Sequence, residues 1–168
     1  MTESLTIRTF AAREWQNYKA LRLRALADSP GAFGSIFAET ERRSDTSWQN
    51  QLAGDDSALN LPLIAEVDGE QIGLAWGRIK KSDPDLANLY QMWVAPSHRG
   101  LGVGEMLLKS VIAWAGEKNA RHLDLGVTVR DSFAMRLYKR LGFEIVGEAE
   151  PLRPGSALLC QSMRLNLQ

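Results

Sequence analysis

The 168-residue sequence contains one cysteine, Cys160, and two histidines, His98 and His122. A single thiol excludes an internal disulfide framework and any metal site built from several thiolates. Cys160 sits in an apolar run and reads as a packing residue rather than a nucleophile. His122 opens a predicted strand on its own, and a lone histidine does not make a metal site. His98 reads as an exposed turn residue or a phosphate contact. The expectation is therefore no metal. Charge of one sign is missing as well, because twenty basic residues balance twenty acidic ones. Such a chain has no broad electrostatic grip on nucleic acid or on an anionic membrane, so neither is an expected partner. Any anion site must be local. No apolar run approaches the length of a membrane span. Met1-Thr2-Glu3-Ser4 has neither the basic start nor the apolar core of a signal peptide, which predicts a cytoplasmic protein. There are no repeats and no low-complexity tracts. What remains is 45% hydrophobic, an ordinary globular share. The length suits a single domain over residues 1–168 with a sizeable core.

Periodicity predicts an α+β order. Leu5 to Arg8 alternates as a strand. Ala11 to Ala27 is helical, with Trp15, Tyr18, Leu21 and Ala25 on one stripe, and Ser29-Pro30-Gly31 ends it. Ala32 to Asn50 reads as a second, less regular helical region. Leu61 to Val67 and Gln71 to Lys80 flank Asp68-Gly69, a strong hairpin signal. Ser82-Asp83-Pro84-Asp85 reads as a turn, and Leu86 to Val94 as a strand. Val103, Leu107, Leu108, Val111, Ile112 and Ala115 form one face of the next helix. Leu123 to Val129 alternates as a strand. A further helix follows, with Asp131 or Ser132 as its N-cap and Gly142 as its stop. Strands near Glu144 to Ala149 and Ala157 to Leu165 close the chain. The strand–helix–strand unit from Leu86 to Val129 should be parallel and right-handed, and the other neighbours mostly antiparallel.

The most informative segment is Val94-Ala95-Pro96-Ser97-His98-Arg99-Gly100-Leu101-Gly102-Val103-Gly104. It runs a strand into a glycine-rich turn that opens a helix. Glycines allow a tight turn and close approach of a ligand. The first amides of the helix have no partner within it, and together with the helix dipole they suit a phosphate group. A nucleotide P-loop would need Lys and then Ser or Thr after Gly104, where Glu105 and Met106 stand. A dinucleotide fingerprint would need glycine at Glu105.

About thirty residues on, Asp131-Ser132-Phe133-Ala134-Met135-Arg136-Leu137-Tyr138-Lys139-Arg140-Leu141-Gly142-Phe143 forms a second motif. Arg-x-x-Gly-x-Gly from Arg99 to Gly104 resembles the acetyl-CoA signature of the GNAT superfamily of N-acetyltransferases. The second segment resembles that family's Asn-x-x-Ala-x-x-Leu-Tyr-x-x-x-Gly-Phe. Ala134, Leu137, Tyr138, Gly142 and Phe143 fall in register, while Asp131 replaces the usual Asn. An ionised carboxylate cannot donate the hydrogen bond that Asn can, so Asp131 reads as a helix cap, leaving any cofactor contact to neighbours such as Ser132.

The resemblance implies a central mixed, mostly antiparallel twisted sheet, flanked by helices, with a splayed parallel strand pair. It implies acetyl-CoA as co-substrate and an amine acceptor, a primary amine on a small molecule or peptide. It leaves a homodimer open. Main-chain groups at Met92, Trp93 and Val94 would meet the pantetheine arm, and the amides of Gly100, Leu101, Gly102, Val103 and Gly104 the pyrophosphate. Arg99 would either pair a phosphate oxygen or lend only its backbone. Tyr138 would be the general acid on the leaving sulfur. By helical spacing alone it reads instead as a packing residue on the stripe of Ala134, Leu137 and Leu141, and the motif reverses that reading. Asn88 to Val94 carries no acid, so no general base is assigned; Glu39, Glu66 and Asp124 read as surface carboxylates. The missing base also suits a second reading, an acyl-CoA-binding sensor or interaction module without catalysis. A nucleotide-binding enzyme is a third.

Overall fold

Asp68 and Gly69 both take positive φ, 49° and 84°, which a two-residue turn between twisted antiparallel strands requires. They join β2 (Asn60–Val67) to β3 (Glu70–Lys80). The computed structural model describes residues 4–54, 57–130 and 133–168. Six further strands complete one sheet: β1 (Leu5–Thr9), β4 (Asp83–Val94), β5 (His122–Thr128), β6 (Glu144–Ile145), β7 (Glu150–Pro151) and β8 (Leu159–Asn166). Their order is β1-β2-β3-β4-β5-β8-β6, with β7 also on β8. Among the described residues, only the β4–β5 contact is parallel. The helices are α1 (Trp15–Asp28), α2 (Phe37–Thr40), α3 (Asp45–Ala53), α4 (Val103–Glu117) and α5 (Phe133–Arg140). This is the expected α+β class with a mixed sheet.

Small residues on β3 decide where α4 lies. A Cβ on Gly77 would stand 3.0 Å from Trp114 Cζ3, and one on Gly73 3.3 Å from Leu107 Cδ1. Side chains alternate along a strand, so Trp76 points to the opposite face. There it meets Tyr18 of α1 at 5.4 Å between ring centroids, and Tyr18 meets Trp48 of α3 at 5.8 Å. The sheet is therefore covered by α4 on one face and by α1 and α3 on the other.

The parallel pair is short. β4 and β5 pair at Leu86–His122, Ala87–Leu123 and Asn88–Asp124. Beyond those residues β4 keeps only β3, and β5 keeps only β8. A gap opens between them, as the resemblance implies.

Three expectations are corrected. Ala32 to Asn50 is not one helical region but α2 and α3. Ser44 restarts the helix, its Oγ accepting from Ser47 N at 3.1 Å. The Ser82 to Asp85 turn is shorter, because β4 begins at Asp83. Pro84 falls where the β3–β4 register shifts, between Ile79 and Lys80 on the partner strand, a place that tolerates a residue with no N–H. The strand expected over Glu144 to Ala149 shrinks to the two-residue β6, ending before Gly147, whose φ is 72°, and the two-residue β7 follows beyond it. The N-cap expected at Asp131 or Ser132 lies outside the described residues.

Gly77→Ala should destabilise the protein by about 1–3 kcal/mol, because α4 must retreat from β3 to admit the methyl group. Urea unfolding would show this as a lower midpoint with an unchanged slope.

Candidate functional site

A cavity of about 1040 Å³ occupies the gap between β4 and β5. It reaches both faces of the sheet. On the α4 and α5 face it is lined by Met92, Ala134 and Tyr138, and on the α1 and α3 face by Arg22, Phe33, Gln51 and Trp76.

β4 bulges beside this cavity. Gln91 takes φ 58°, and the β3–β4 register shifts between Leu74 and Trp76. A left-handed residue with a Cβ costs roughly 1–2 kcal/mol, so something must hold it. The Tyr18 hydroxyl donates to Gln91 Oε1 at 2.5 Å and accepts from Gln51 Nε2 at 3.0 Å. Burial pushes the Tyr18 phenol up to about 12, so it stays protonated and able to donate.

Past the bulge the strand is regular. Ala95 N donates to Ile72 O on β3 at 2.7 Å. Main-chain groups of alternate residues point to opposite sides, so Trp93 also faces β3, while Met92 and Val94 face the gap. Val94 O there accepts from Arg99 Nε at 2.9 Å. Trp93 contributes instead through its indole, which donates to Asp28 Oδ2 at 3.0 Å.

The glycine turn lies next to the cavity on the α4 face. Gly100 and Gly102 have φ 78° and 84°, and an added Cβ at either would meet nothing within 4 Å. The backbone demands glycine there while the surroundings are open. Gly102 is the N-cap of α4. The first intrahelical bond is Met106 N to Gly102 O at 3.1 Å, which leaves the amides of Val103, Gly104 and Glu105 without helical acceptors. Leu101 is exposed beside them. Gly104 faces the cavity end, where its Cβ would lie 3.4 Å from Met92 Cε and 4.0 Å from Leu137 Cδ2. The Arg99 guanidinium turns away from these amides. It donates to Asp28 Oδ2 at 2.7 Å, tying the turn to the end of α1. Ser97 Oγ and His98 Nδ1 share a hydrogen bond of 2.7 Å.

Tyr138 is 6% exposed, with its hydroxyl 4.0 Å from Met92 Sδ and its ring 5.8 Å from Phe143. It both packs and lines the cavity. Burial pushes its phenol up to about 12. Ser132 lies outside the described residues. Of the acids considered as bases, Asp124 lines the cavity but is held by Arg164 at 2.7 and 2.9 Å. Glu66 pairs with Arg8 on the β1–β2 side, and Glu39 is exposed on α2. Among the described residues, no group of three or more His, Cys, Asp or Glu could hold a metal ion.

Sequence reading missed Arg22, Gln51, Gln91 and Asp28. Arg22 had a signal, a charge four residues after Tyr18 on the apolar stripe of α1. Gln91 had none, since glutamine does not announce a positive φ. Asp28 meets Arg99 only through the fold.

The family model described as acetyltransferase (GNAT) matches residues 18–143. A mycothiol acetyltransferase of Thermobispora bispora is 28% identical over 148 residues, covering 85% of this chain and 48% of that protein. A streptothricin acetyltransferase of Streptomyces lavendulae is 32% identical over 104 residues, covering 62% and 54%. The chain thus spans about half the length of the curated relatives it matches. An acetyltransferase of the GNAT family from Streptococcus pneumoniae superposes with a TM-score of 0.83 at 20% identity, over 98% of this chain and 100% of that one. At that identity the likeness speaks for the fold.

Asp28 makes the pH dependence of this region testable. Burial raises its carboxyl pKa, but hydrogen bonds from Trp93, Ser29 and Arg99 outweigh that and leave it below the ordinary value. A depressed folded pKa gives stability that is present above the unfolded value, ~3.9, and is lost as pH falls through the folded one. Asp28→Asn should therefore cost about 1–2 kcal/mol at pH 7. That deficit should shrink as the pH drops below ~3.9. Urea titrations of both proteins across that range would show whether the curves converge.

Proposed function

The chain belongs to the GNAT acetyltransferase family, and from that premise we propose that it transfers the acetyl group of acetyl-CoA to a primary amine on a small molecule or peptide. One observation carries this: the cavity between β4 and β5 reaches both faces of the sheet. A thioester from one side and an amine from the other could meet inside it.

The residues present suit the coenzyme. The amides of Val103, Gly104 and Glu105, with the open glycines Gly100 and Gly102 before them, offer a local anion seat on a chain with no net charge. Arg99 keeps that turn in place through Asp28 and contributes its backbone to the seat. Met92 and Val94 turn main-chain groups into the gap, where an extended arm can pair with the edge of β4 that no strand covers, apart from Val94 O, which Arg99 already occupies. Acetyl-CoA supplies an activated acyl carbon and a thiolate leaving group.

The protein's part is positioning, which can be worth several powers of ten. A main-chain N–H of β4 facing the gap would stabilise the negative charge developing on the carbonyl oxygen, typically worth ~10²–10³. The amine forms a C–N bond as the C–S bond breaks. The amine loses one proton and the sulfur gains one. Tyr138 stands protonated beside Met92 to serve the sulfur. A phenol near 12 is a weaker acid than a thiol near ~8.5. Its help is thus mainly a hydrogen bond, near the lower end of the ~10²–10⁴ typical of general acids. Asp124 is tied to Arg164, so the amine's proton leaves through water in the open cavity.

The absence of a free carboxylate among the described cavity-lining residues keeps a second reading in play, an acyl-CoA-binding module without turnover. Mixing the protein with acetyl-CoA and an amine library, with free thiol monitored, separates the two. Acceptor-dependent thiol release supports the enzyme, and tight binding without release supports the module.

Gly104→Val should abolish acetyl-CoA binding in calorimetry, because a branched side chain there presses on Met92, Val94 and Leu137. Unchanged affinity would refute the placement of the coenzyme. Tyr138→Phe should lower turnover by about 10²-fold with the coenzyme's affinity retained. An unaltered rate under chemistry-limited conditions would remove Tyr138 from the reaction.

A further inference from the structure

Arg22 stands on the buried face of α1, 6% exposed, and lines the cavity on the side away from the glycine turn. Its guanidinium carbon lies 4.6 Å from the centre of the Phe33 ring. Its Nη1 has no hydrogen-bond partner in the structure. Buried guanidinium nitrogens are normally paired, because an uncompensated charge removed from water costs stability. Burial pushes the group down to about 10, which still leaves it cationic at neutral pH. Its neighbours do not neutralise it. Arg43 adds repulsion and Tyr18 is a protonated phenol. Arg78 and Arg130 also line the cavity, and Asp124 there belongs to Arg164.

A second group across the same space is also unpartnered. Gln51 spends its Nε2 on the Tyr18 hydroxyl, while its buried Oε1 accepts no hydrogen bond. Arg22 and Gln51 thus both line the cavity, and each keeps one polar atom that is shut off from solvent and without a partner in the ligand-free protein. The spacing has chemical meaning too. Arg22 is one helical turn beyond Tyr18, a rise of about 6 Å, and Tyr18 holds the β4 bulge next to Met92. An anion seated on Arg22 and an amine beside that strand would be a few bonds apart.

We propose that Arg22 recognises a carboxylate on the acceptor, which is an amine-bearing acid of amino-acid size with its N–H groups turned toward Gln51. This rests on the acetyl-transfer reading and names the acceptor class for it. Arg22 is a specificity residue here. The cost of its solitary burial is offset when the acid binds. A planar guanidinium stacked on Phe33 presents its N–H edge to a planar carboxylate, the arrangement this group suits best.

The test uses the full chain with coenzyme A bound and, as probes, the proteinogenic L-amino acids, each beside its own carboxamide. Affinities come from thermal shift. At least one acid should bind about tenfold or more tightly than its amide, as expected for a charge-assisted contact. Arg22→Met keeps an unbranched apolar stem at this position and removes the buried guanidinium that lies over Phe33. It should bring that ratio to about one, leave acetyl-CoA affinity unchanged in calorimetry, and raise the Tm of the ligand-free protein by about 2–4 °C. A merely structural arginine would lower the Tm. The proposal is overturned if no amino acid binds, if amides bind as well as acids, or if Arg22→Met retains the preference. Acetyl-CoA binding separates the two failures. If the coenzyme binds and the acid preference is absent, only this inference falls. If the coenzyme does not bind, the acetyl-transfer reading falls with it.

Discussion

Two adjacent strands stop pairing after Asn88, and the site depends on that separation. An unpaired strand edge inside a sheet is costly unless its groups find other partners. Here each strand is held from its far side. β3 pairs β4 up to Val94, and β8 pairs β5 from His122 through Thr128. The sheet can open in the middle without either half coming loose. The same geometry leaves the β4 edge facing a cavity of about 1040 Å³ rather than a neighbouring strand. A full parallel ladder would fill that space with side chains and pair the Met92 and Val94 groups that now look into it.

Two polar networks fix the edge of the gap, and both start from α1. Tyr18 holds the bulge at Gln91, and Asp28 holds Trp93 and Arg99. One helix thus sets the position of the strand before the glycine turn and of the turn itself. The networks differ in chemistry. The Tyr18 link is between neutral groups, with the phenol kept protonated by burial. The Asp28 link carries charge and weakens in acid. A helix on one face of the sheet thereby holds the glycine turn that opens α4 on the other.

Most of the fold was legible because its signals are local. The Asp68-Gly69 turn, the alternation of Leu123 to Val127 and the apolar face of α4 each follow from neighbouring residues. The glycine turn was legible for the same reason, since Gly100 and Gly102 occupy conformations that other residues avoid. What was not legible depends on contacts far apart in sequence or on strain. Gln91 adopts a positive φ only because Tyr18 and Gln51 are brought to it. The Arg99 side chain could not be assigned before Asp28 was placed beside it. The helical region after Gly31 was misjudged because Ser44 caps a new helix, α3, and so divides what reads as one continuous segment.

Net charge conceals the most consequential electrostatics of this chain. Basic and acidic residues cancel overall, yet the cavity wall is not neutral. Arg22, Arg78 and Arg130 line it, against an Asp124 already held by Arg164. Exposed pairs such as Arg121 with Asp85 contribute little in water. A buried guanidinium with an idle nitrogen sits where the dielectric is low and its field is strong. Evolution can tolerate such a destabilising group where function needs it. Arg22 therefore weighs more than its share of the charge count suggests, because it bears on what enters the cavity at a cost to the stability of the fold.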